Sequence, residues 1–344
     1  MKKKTINTVI VKKINNWIES IDDRSLRIRI KNDIIVTGGC ITSMLLNEEI
    51  NDFDVYFKTK ESLKAISQYY TNKFNENNKG KSNKSGRPFC AWVLDGEDIQ
   101  AWKEDKKQLS DFAYDYQNLK YNNAYMRVSG MLLNTPPDRI KIMVNSDGIA
   151  EDSDAVADAA EYDINEYLEA LGDGDNISSD ELNKTEKYKP VFLSTNAITL
   201  SDKIQVVVRF YGKPEEIHEN YDFVHVTNYW TFQTGVVLKQ EALEAIMNKE
   251  LVYVGSKYPI CSLVRTRKFI KRGWQINAGQ YVKMSFQISK LDLEDTYVLE
   301  DQLIGVDSVY FLHFINTLKK KQLTDKSFVL TQDYLTTVID KIFG

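Results

Sequence analysis

Apolar side chains recur at helical spacing at the start of the chain and over its C-terminal third. One predicted helix spans 8–20, with an apolar face of Val9, Ile10, Ile14, Trp17 and Ile18. A second short helix is expected before Asn32. The same spacing predicts helices over 60–74, 106–119, 240–248, 260–272, 299–320 and 332–343. The end of the chain is therefore expected to be mainly helical.

Short apolar runs between turn residues predict strands. They lie over 34–37, 53–57, 89–94, 140–144, 191–193 and 204–210, and a short helix over 40–47 separates the first two. This mixture predicts an α+β protein whose sheet is complete before Phe210. We divide the chain into a head over 1–235 and a helical neck and tail over 236–344.

Composition restricts the class of protein. The 344 residues are 42% apolar and 27% charged, which is ordinary for a globular protein and leaves room for two or three domains. No run approaches the roughly 20 apolar residues of a membrane-spanning helix, and the lysine-rich start leads into a helical pattern, not an apolar signal core. Three scattered cysteines and three histidines indicate neither a disulfide framework nor a metal cluster. These features favour a reducing cytoplasm and no membrane partner.

Charge is distributed unevenly along the chain. Residues 147–183 hold 13 acidic side chains and neither lysine nor arginine. The net charge of −4 therefore consists of −13 from this segment and +9 from the remainder. We interpret about 147–187 as an acidic insertion into the head, solvated or, alternatively, docking a protein partner. The basic remainder is suited to a polyanion.

The segment 38–57, GGCITSMLLNEEINDFDVYF, combines two motifs that carry chemistry. Gly38 and Gly39 end a predicted strand, where glycine lets the backbone approach a phosphate and the next helix donate amide N–H groups to it. Asp52 and Asp54 alternate at the start of the next strand, so their carboxylates should project from one face. Such carboxylates hold Mg²⁺, or alternatively Mn²⁺, and the ion bridges to a triphosphate. The combination indicates phosphoryl transfer.

Together these motifs resemble the nucleotidyltransferase superfamily of DNA polymerase β, and in particular the class II CCA-adding enzymes and bacterial poly(A) polymerases. The family pattern runs Gly-Gly, a short helix, Leu-Leu and Asp-x-Asp, and Gly39 and Asp52 are thirteen positions apart here, as in that class. The resemblance implies a nucleotidyltransferase-type head with a mixed sheet. It also implies that Asp52 and Asp54 are catalytic metal ligands and that Gly38 and Gly39 accommodate the nucleotide.

Two later segments resemble the same family in the same order. Residues 214–230, PEEIHENYDFVHVTNYW, are similar to LEEDLKRRDFTINAMAY, which implies a nucleotide-sugar contact for Asp222. The alternative for Asp222 is a carboxylate at a helix end. Residues 242–276 are similar to the entry of the family's helical neck. The resemblance therefore covers most of the chain.

Several positions depart from the family pattern. They are Thr42 and Ser43 for an Arg-Asp pair, Asn220 and Tyr221 for two arginines, and Lys257, Tyr258 and Cys261 within the base-recognition set Glu-Asp-x-x-Arg. Thr42 and Ser43 become candidate nucleotide contacts by position. The candidate central strand offers Gln205 where many polymerase-like sites have a third carboxylate. Base selection by the family's template is not expected.

The predicted neck helix is rich in cations. They are Arg265, Arg267, Lys268, Lys271 and Arg272. Arg265, Lys268 and Arg272 share one helical face and are candidate contacts for a triphosphate or an RNA backbone, unless this face is only solvated. Leu263, Ile270 and Trp274 are expected to point inward.

Three functions remain open at this stage. An active metal-dependent nucleotidyltransferase would move a nucleoside monophosphate from an NTP to an RNA 3′ end or another hydroxyl acceptor, in the cytoplasm of a bacterial or phage-infected cell. A binding module would keep the nucleotide pocket without turnover. A structural protein, for example in a phage virion, would assemble with virion proteins or further copies of itself through the acidic insertion and helical tail. The intact Asp-x-Asp motif, together with the altered base-recognition set, favours an enzyme with an unusual acceptor over a tRNA-maturing one.

Overall fold

The computed structural model describes residues 1–80, 90–97, 138–145, 187–193, 196–303, 318, 321 and 328–343. The predicted helix over 106–119, the acidic insertion and most of 299–320 lie outside these residues. The helices are α1 Lys3–Glu19, α2 Arg24–Lys31, α3 Gly39–Leu46, α4 Lys60–Asn77, α5 Pro214–His218, α6 Gln240–Asn248, α7 Pro259–Lys271, α8 Ala278–Ile288, α9 Thr296–Leu303 and α10 Gln332–Phe343. The strands are β1 Ile34–Thr37, β2 Phe53–Phe57, β3 Cys90–Leu94, β4 Lys141–Asn145, β5 Pro190–Leu193, β6 Ala197–Leu200, β7 Ile204–Val207, β8 Tyr229–Thr231 and β9 Gly235–Val237.

The first helix forms as its apolar spacing predicts. Its buried face consists of Ile6, Ile10, Ile14, Trp17 and Ile18, while Val9 is partly buried against the same core. A chain turn follows, and α2 begins where the Asp23 side chain accepts a hydrogen bond from the Leu26 N–H at 3.0 Å. These two helices lead directly into β1.

A mixed seven-stranded sheet forms the centre of the fold, with the strand order β5-β6-β7-β2-β1-β8-β9. β1 pairs antiparallel with β2, and β2 pairs in parallel with β7. The predicted α+β class with a mixed sheet is therefore confirmed. β2 is central, so residues that alternate along it are sorted between the two faces of the sheet.

The two faces of β2 have different surroundings. Phe53, Val55 and Phe57 belong to the main hydrophobic core, which also contains the buried faces of α1 and α4. Tyr56 belongs to a smaller cluster with Ile35, Ile217 and Tyr221 on the opposite face. Since Asp54 alternates with Phe53 and Val55, it shares the face of Tyr56. The candidate site therefore lies on the side of the sheet away from the main core.

The sheet does not end before Phe210, so that prediction is wrong. After that residue, β8 and β9 join the sheet beside β1. A further strand that was not predicted, β6, lies between β5 and β7. These strands are three or four residues long, which is too short for a clear alternating pattern. The predicted strands at β3 and β4 exist, but they form a separate two-stranded sheet. Asn75 on α4 holds that sheet by two hydrogen bonds to Ala91, of 2.9 and 2.7 Å.

The neck packs directly on the head. Phe223 lies in one buried cluster with Ile246, Leu251, Tyr253, Trp274 and Met284, and Leu45 and Leu46 of α3 pack against it. A separate cluster joins α9 and α10 through Leu303 and Val338. Among the described residues, none of the helices has the length and apolar character needed to cross a bilayer.

A buried hydrogen bond between α1 and α4 gives a first prediction. Trp17 Nε1 donates to the Tyr70 hydroxyl at 2.7 Å, so Tyr70→Phe should leave a buried N–H without this acceptor and lower the free energy of unfolding by about 1–3 kcal/mol. Tyr69→Phe is the matched control, because among the described residues its hydroxyl bonds only to the exposed Asp22, and it should change stability by no more than about 0.5 kcal/mol. Urea denaturation measures both, and equal effects would contradict the assignment.

Candidate functional site

The turn between β1 and α3 brings the backbone against a carboxylate. Gly38 has a φ of +93°, a conformation that L side chains disfavour. A Cβ at this position would overlap Oδ2 of Asp54, whereas a Cβ at Gly39 would meet open space. Glycine at 38 is therefore required both by the backbone conformation and by the closeness of Asp54.

The charges of both aspartates raise the pKa of the same buried thiol. Cys40, in the first turn of α3, is 2% exposed. Burial raises its thiol pKa well above the usual range, and the negative charges of Asp54 and Asp52 raise it further. Asp54 lies within β2 and Asp52 directly precedes that strand. Gly38 thus lies against Asp54, and the charges of both aspartates influence the thiol in the first turn of α3.

The neighbouring strands determine what else surrounds Asp54. Thr37 of β1 is its antiparallel partner, and Gln205 of β7 is its parallel partner. Gln205 therefore occupies the adjacent-strand position expected from the sequence, where it supplies a neutral amide. Tyr56 lies two residues along β2, and its pKa is raised by burial and then by the charge of Asp54.

The two residues that replace the family's Arg-Asp pair have different surroundings. Thr42 is 5% exposed, and its hydroxyl donates to the His225 carbonyl oxygen at 2.7 Å. Ser43 is partly exposed, and its carbonyl accepts from the Glu48 N–H at 2.8 Å. The Thr42 hydroxyl thus anchors α3 to the segment after Asp222, and Ser43 offers the more accessible hydroxyl.

An ion pair joins Asp222 to the neck helix. Arg265 Nη1 lies 2.7 Å from Asp222 Oδ2, and the carboxylate side chain is only 11% exposed. The charge of Arg265 lowers the Tyr56 pKa and that of Asp222 raises it, and both effects are smaller than those of burial and of the Asp54 charge. The pair therefore lies near the face of the sheet that carries Asp54. Asp222 is more than a helix-end carboxylate, since it connects the head to α7.

The other cations of α7 are exposed, and the predicted inward set is partly wrong. Lys268 and Arg272 are exposed, and Trp274 is buried as expected. Leu263 and Ile270, however, are 40% and 46% exposed. The buried positions of α7 are instead Pro259, Cys261, Ser262 and Thr266. Small side chains allow close packing, and Cys261 donates from Sγ to the Gln302 carbonyl of α9, a contact that a hydrophobic pattern does not reveal.

Sequence reasoning missed an arginine that stacks on the neck. The Arg209 guanidinium lies 3.4 Å from the centroid of the Tyr258 ring, and the two residues are 9% and 5% exposed. Arg209 follows β7, and Tyr258 directly precedes α7. A buried cation–π contact of this kind connects the sheet to the neck. Tyr258 stands at a base-recognition position of the resembling family, so that position packs against a protein side chain.

Two histidines near the site are buried and neutral. His225 is 1% exposed, its ring lies 4.7 Å from Phe269 and 4.2 Å from Trp274, and its ring nitrogens have no hydrogen-bond partner among the described residues. Burial lowers its pKa to about 3, with Asp222 opposing the shift. Burial, then the nearby Lys239 charge, lowers the His218 pKa to about 3 as well.

The acidic pair is a small set of ligands for the predicted ion. Within the described part of the chain, no three His, Cys, Asp or Glu side chains are grouped as metal ligands. Two carboxylates nevertheless suit Mg²⁺, because this ion retains water and takes phosphate oxygens as ligands. The missing Cβ of Gly38 leaves room for Asp54 Oδ2. Asp52 and Asp54 could therefore hold a divalent cation only if its remaining ligands were supplied from outside these two side chains.

The fold and site define an α+β protein in which a mixed sheet presents a Gly-Gly turn and an acidic pair. A family model described as Gabija anti-defense 2 family protein (Gad2) matches residues 8–249, which is more than half of the chain. The chain belongs to the Gabija anti-defense 2 family. No curated protein and no solved structure gives a significant match.

The Gly38 turn gives a second prediction, and its neighbour supplies the control. Gly38→Ala should lower the free energy of unfolding by at least about 1–2 kcal/mol, because the alanine would be strained at positive φ and would also displace Asp54. Gly39→Ala should leave stability unchanged or raise it, since its Cβ meets nothing and alanine favours a helix. Thermal and urea denaturation compare the two variants. A Gly38 variant as stable as the Gly39 variant would refute this account of the turn.

His225 gives a third prediction, for acid conditions. Its folded pKa of about 3 lies below the ordinary histidine value of 6.5, so between these values the unfolded chain binds a proton that the folded chain does not. Stability should therefore be complete above pH 6.5 and fall as pH decreases, by up to about 1.4 kcal/mol per pH unit. His225→Leu should reduce this slope in urea denaturation between pH 6.5 and 4. Measurements at pH 8 isolate the packing change, and parallel pH curves would contradict the prediction.

Proposed function

We propose that this chain is a metal-dependent nucleotidyltransferase that moves a nucleoside monophosphate from an NTP to an RNA 3′ end or another hydroxyl acceptor. The observation that carries the proposal is the close approach of Gly38 to Asp54, with Asp52 and Asp54 both acting on Cys40. An acidic pair beside a glycine turn at a helix N-terminus combines cation and phosphate binding in one location.

Each group has a specific role in this proposal. Bound Mg²⁺ would neutralise and polarise the phosphates of the NTP. Asp52 and Asp54 would hold the ion, and the Gly38-Gly39 turn would let the phosphates approach the backbone N–H groups of α3. Arg265 adds positive charge on the Asp54 side of the sheet, while Asp222 orients it through their 2.7 Å contact.

We infer that this transfer is how the chain opposes a bacterial defence. The family to which it belongs is described as acting against Gabija defence, and a phage-encoded transferase would alter a host or defence component during infection. A catalytic inhibitor acts at low concentration, since one copy modifies many acceptors. The proposal therefore links the acidic pair to the anti-defence effect.

A second candidate is a catalytically degenerate protein that keeps the fold for assembly, as in a phage virion. Gln205 beside Asp54, the Thr42 hydroxyl directed to a protein carbonyl, and Tyr258 packed on Arg209 favour it. In this case the acidic insertion and helical tail would contact virion proteins or further copies of the chain. Nucleotide incorporation distinguishes the two functions.

The fourth prediction tests the acidic pair. Asp54→Asn should reduce the incorporation of labelled NTP into RNA, or into another acceptor in a cell extract, by at least about 100-fold, because even groups outside the ligand shell of a metal are worth 10–100-fold. Its melting temperature should be unchanged or higher, since the variant relieves repulsion with Asp52. The matched control is Asp340→Asn on the exposed face of α10, which should retain full incorporation.

Two outcomes would change the assignment. Full activity of Asp54→Asn would remove Asp54 from the catalytic machinery, and no incorporation by the parent chain with any NTP would favour the assembly role. In cells that carry Gabija, the parent and Asp340→Asn should restore phage plaques, and Asp54→Asn should not. Restoration by Asp54→Asn would separate the anti-defence effect from nucleotidyl transfer.

The fifth prediction concerns the exposed cations of α7. Lys268→Gln with Arg272→Gln should weaken RNA or NTP binding and lower the salt dependence by about one counterion for each lost phosphate contact. Arg265 is left unchanged because it holds Asp222. The control replaces Lys2 and Lys3, two exposed lysines at the chain start, with glutamine. An unchanged salt slope in the α7 variant would assign those cations to solvent or a protein interface.

A further inference from the structure

Four polar residues from four segments form a closed ring of hydrogen bonds beside the Gly38 turn. Lys239 Nζ lies 3.1 Å from His218 Nδ1, and His218 Nε2 lies 2.8 Å from Thr37 Oγ1. The Thr37 hydroxyl donates to the Asn228 carbonyl at 2.9 Å. Asn228 Oδ1 accepts from the Lys239 backbone N–H at 2.8 Å, which closes the ring. Thr37 and Asn228 are fully buried, and His218 is 7% exposed.

The chemistry of the donors gives the ring one direction. A lysine ammonium can only donate, so His218 Nδ1 must accept. Nε2 then carries the imidazole hydrogen and donates to Thr37, whose own hydroxyl hydrogen is directed to Asn228. A doubly protonated imidazole would instead direct an N–H at the Lys239 ammonium. The geometry therefore specifies a neutral His218 with its hydrogen on Nε2.

Thr37 connects the ring of hydrogen bonds to the acidic pair. It is the last residue of β1, it faces Asp54 across the antiparallel pairing, and Gly38 follows it directly. The Gly38 N–H also donates to the Val226 carbonyl at 3.2 Å, two residues before Asn228. Opposite residues in such a pair have Cβ atoms only about 4.5–5.5 Å apart. A shift of the Thr37 side chain would therefore move the turn against which Asp54 rests.

We propose that His218 is a positioning residue for Asp54: through Thr37 it holds the Gly38 turn where the acidic pair needs it. The inference rests on the proposed function, in which that pair binds a divalent cation together with a nucleotide. A buried ring of polar side chains gives little net stability compared with apolar groups of the same shape. It supplies a fixed geometry, because the Thr37 hydroxyl is held between His218 Nε2 and two backbone carbonyls, those of Asn228 at 2.9 Å and Val226 at 3.4 Å.

The first test observes the ring without any metal or substrate. In ¹⁵N-histidine NMR at pH 7, His218, assigned by its loss in His218→Gln, should show the neutral form with hydrogen on Nε2. Lys239→Met removes the ammonium donor and should alter the His218 Nδ1 shift. A charged imidazole, or hydrogen on Nδ1, would overturn the ring and the positioning role with it.

The second test measures cation binding, not turnover. Thr37→Val replaces the hydroxyl with a methyl group. We expect it to weaken the binding of Mn²⁺ in the presence of ATP, measured by electron paramagnetic resonance, by about 10-fold or more. Thr37→Ser should restore it. Thr71→Val is the matched control, because this buried hydroxyl on α4 has no hydrogen-bond partner among the described residues. Thr37→Val should melt at a lower temperature than Thr71→Val, because it leaves the buried His218 Nε2–H without its acceptor. Mn²⁺ affinity is therefore compared at a temperature where urea denaturation shows both variants to be fully folded.

The outcomes separate this inference from the proposed function. Parent protein that binds Mn²⁺ with ATP, together with unchanged binding in Thr37→Val, would reject the positioning role alone. A parent that binds no Mn²⁺ and incorporates no nucleotide would reject the proposed function and the positioning role together. If Thr37→Val does not fold, Lys239→Met and His218→Leu replace it. His218→Gln, which keeps a donor to Thr37, should then retain more binding than His218→Leu.

Discussion

The pairing of β1 with β2 determines how the glycine turn meets the acidic pair. It sets Thr37 opposite Asp54, and the next residue along β1, Gly38, turns over the carboxylate where no side chain would fit. The register of β2 with β7 then sets Gln205 beside Asp54. A slip of one residue would move Asp54 into the main core and Phe53 into the site. The apolar side of β2 therefore protects the register on which its polar side depends.

Much of the fold was accessible from the sequence because the decisive signals are local. The helices α1, α2, α4, α6 and α10 have strong apolar periodicity, and the runs at β1 and β2 are flanked by turn residues. The strands β8 and β9 were missed because three residues hold too little pattern, and β6, with the sequence AITL, lacks the continuous apolar run of the equally short β1. Their place in the sheet follows from pairing with β7 and β1, which are distant partners in the sequence.

The same distinction applies to the site. Gly38, Asp52 and Asp54 lie close together in the sequence and in space, so spacing alone was sufficient to propose them together. The contact of Arg209 with Tyr258, and that of His218 with Thr37, join residues far apart in the chain. No local pattern encodes such contacts. A local apolar pattern can also mislead. Leu263 and Ile270 are exposed, because the inward face of α7 consists of smaller side chains such as Ser262 and Thr266.

Cys40 has a consequence for handling the protein. Its side chain is buried, and its raised pKa keeps the thiol protonated at neutral pH. Since the thiolate is the reactive form of cysteine, alkylating reagents and peroxide should not modify Cys40 while the turn is closed. Reaction of this one sulfur would therefore time the local opening of α3 and its glycine turn. The rate of Cys40 modification would thus report how often this part of the fold opens.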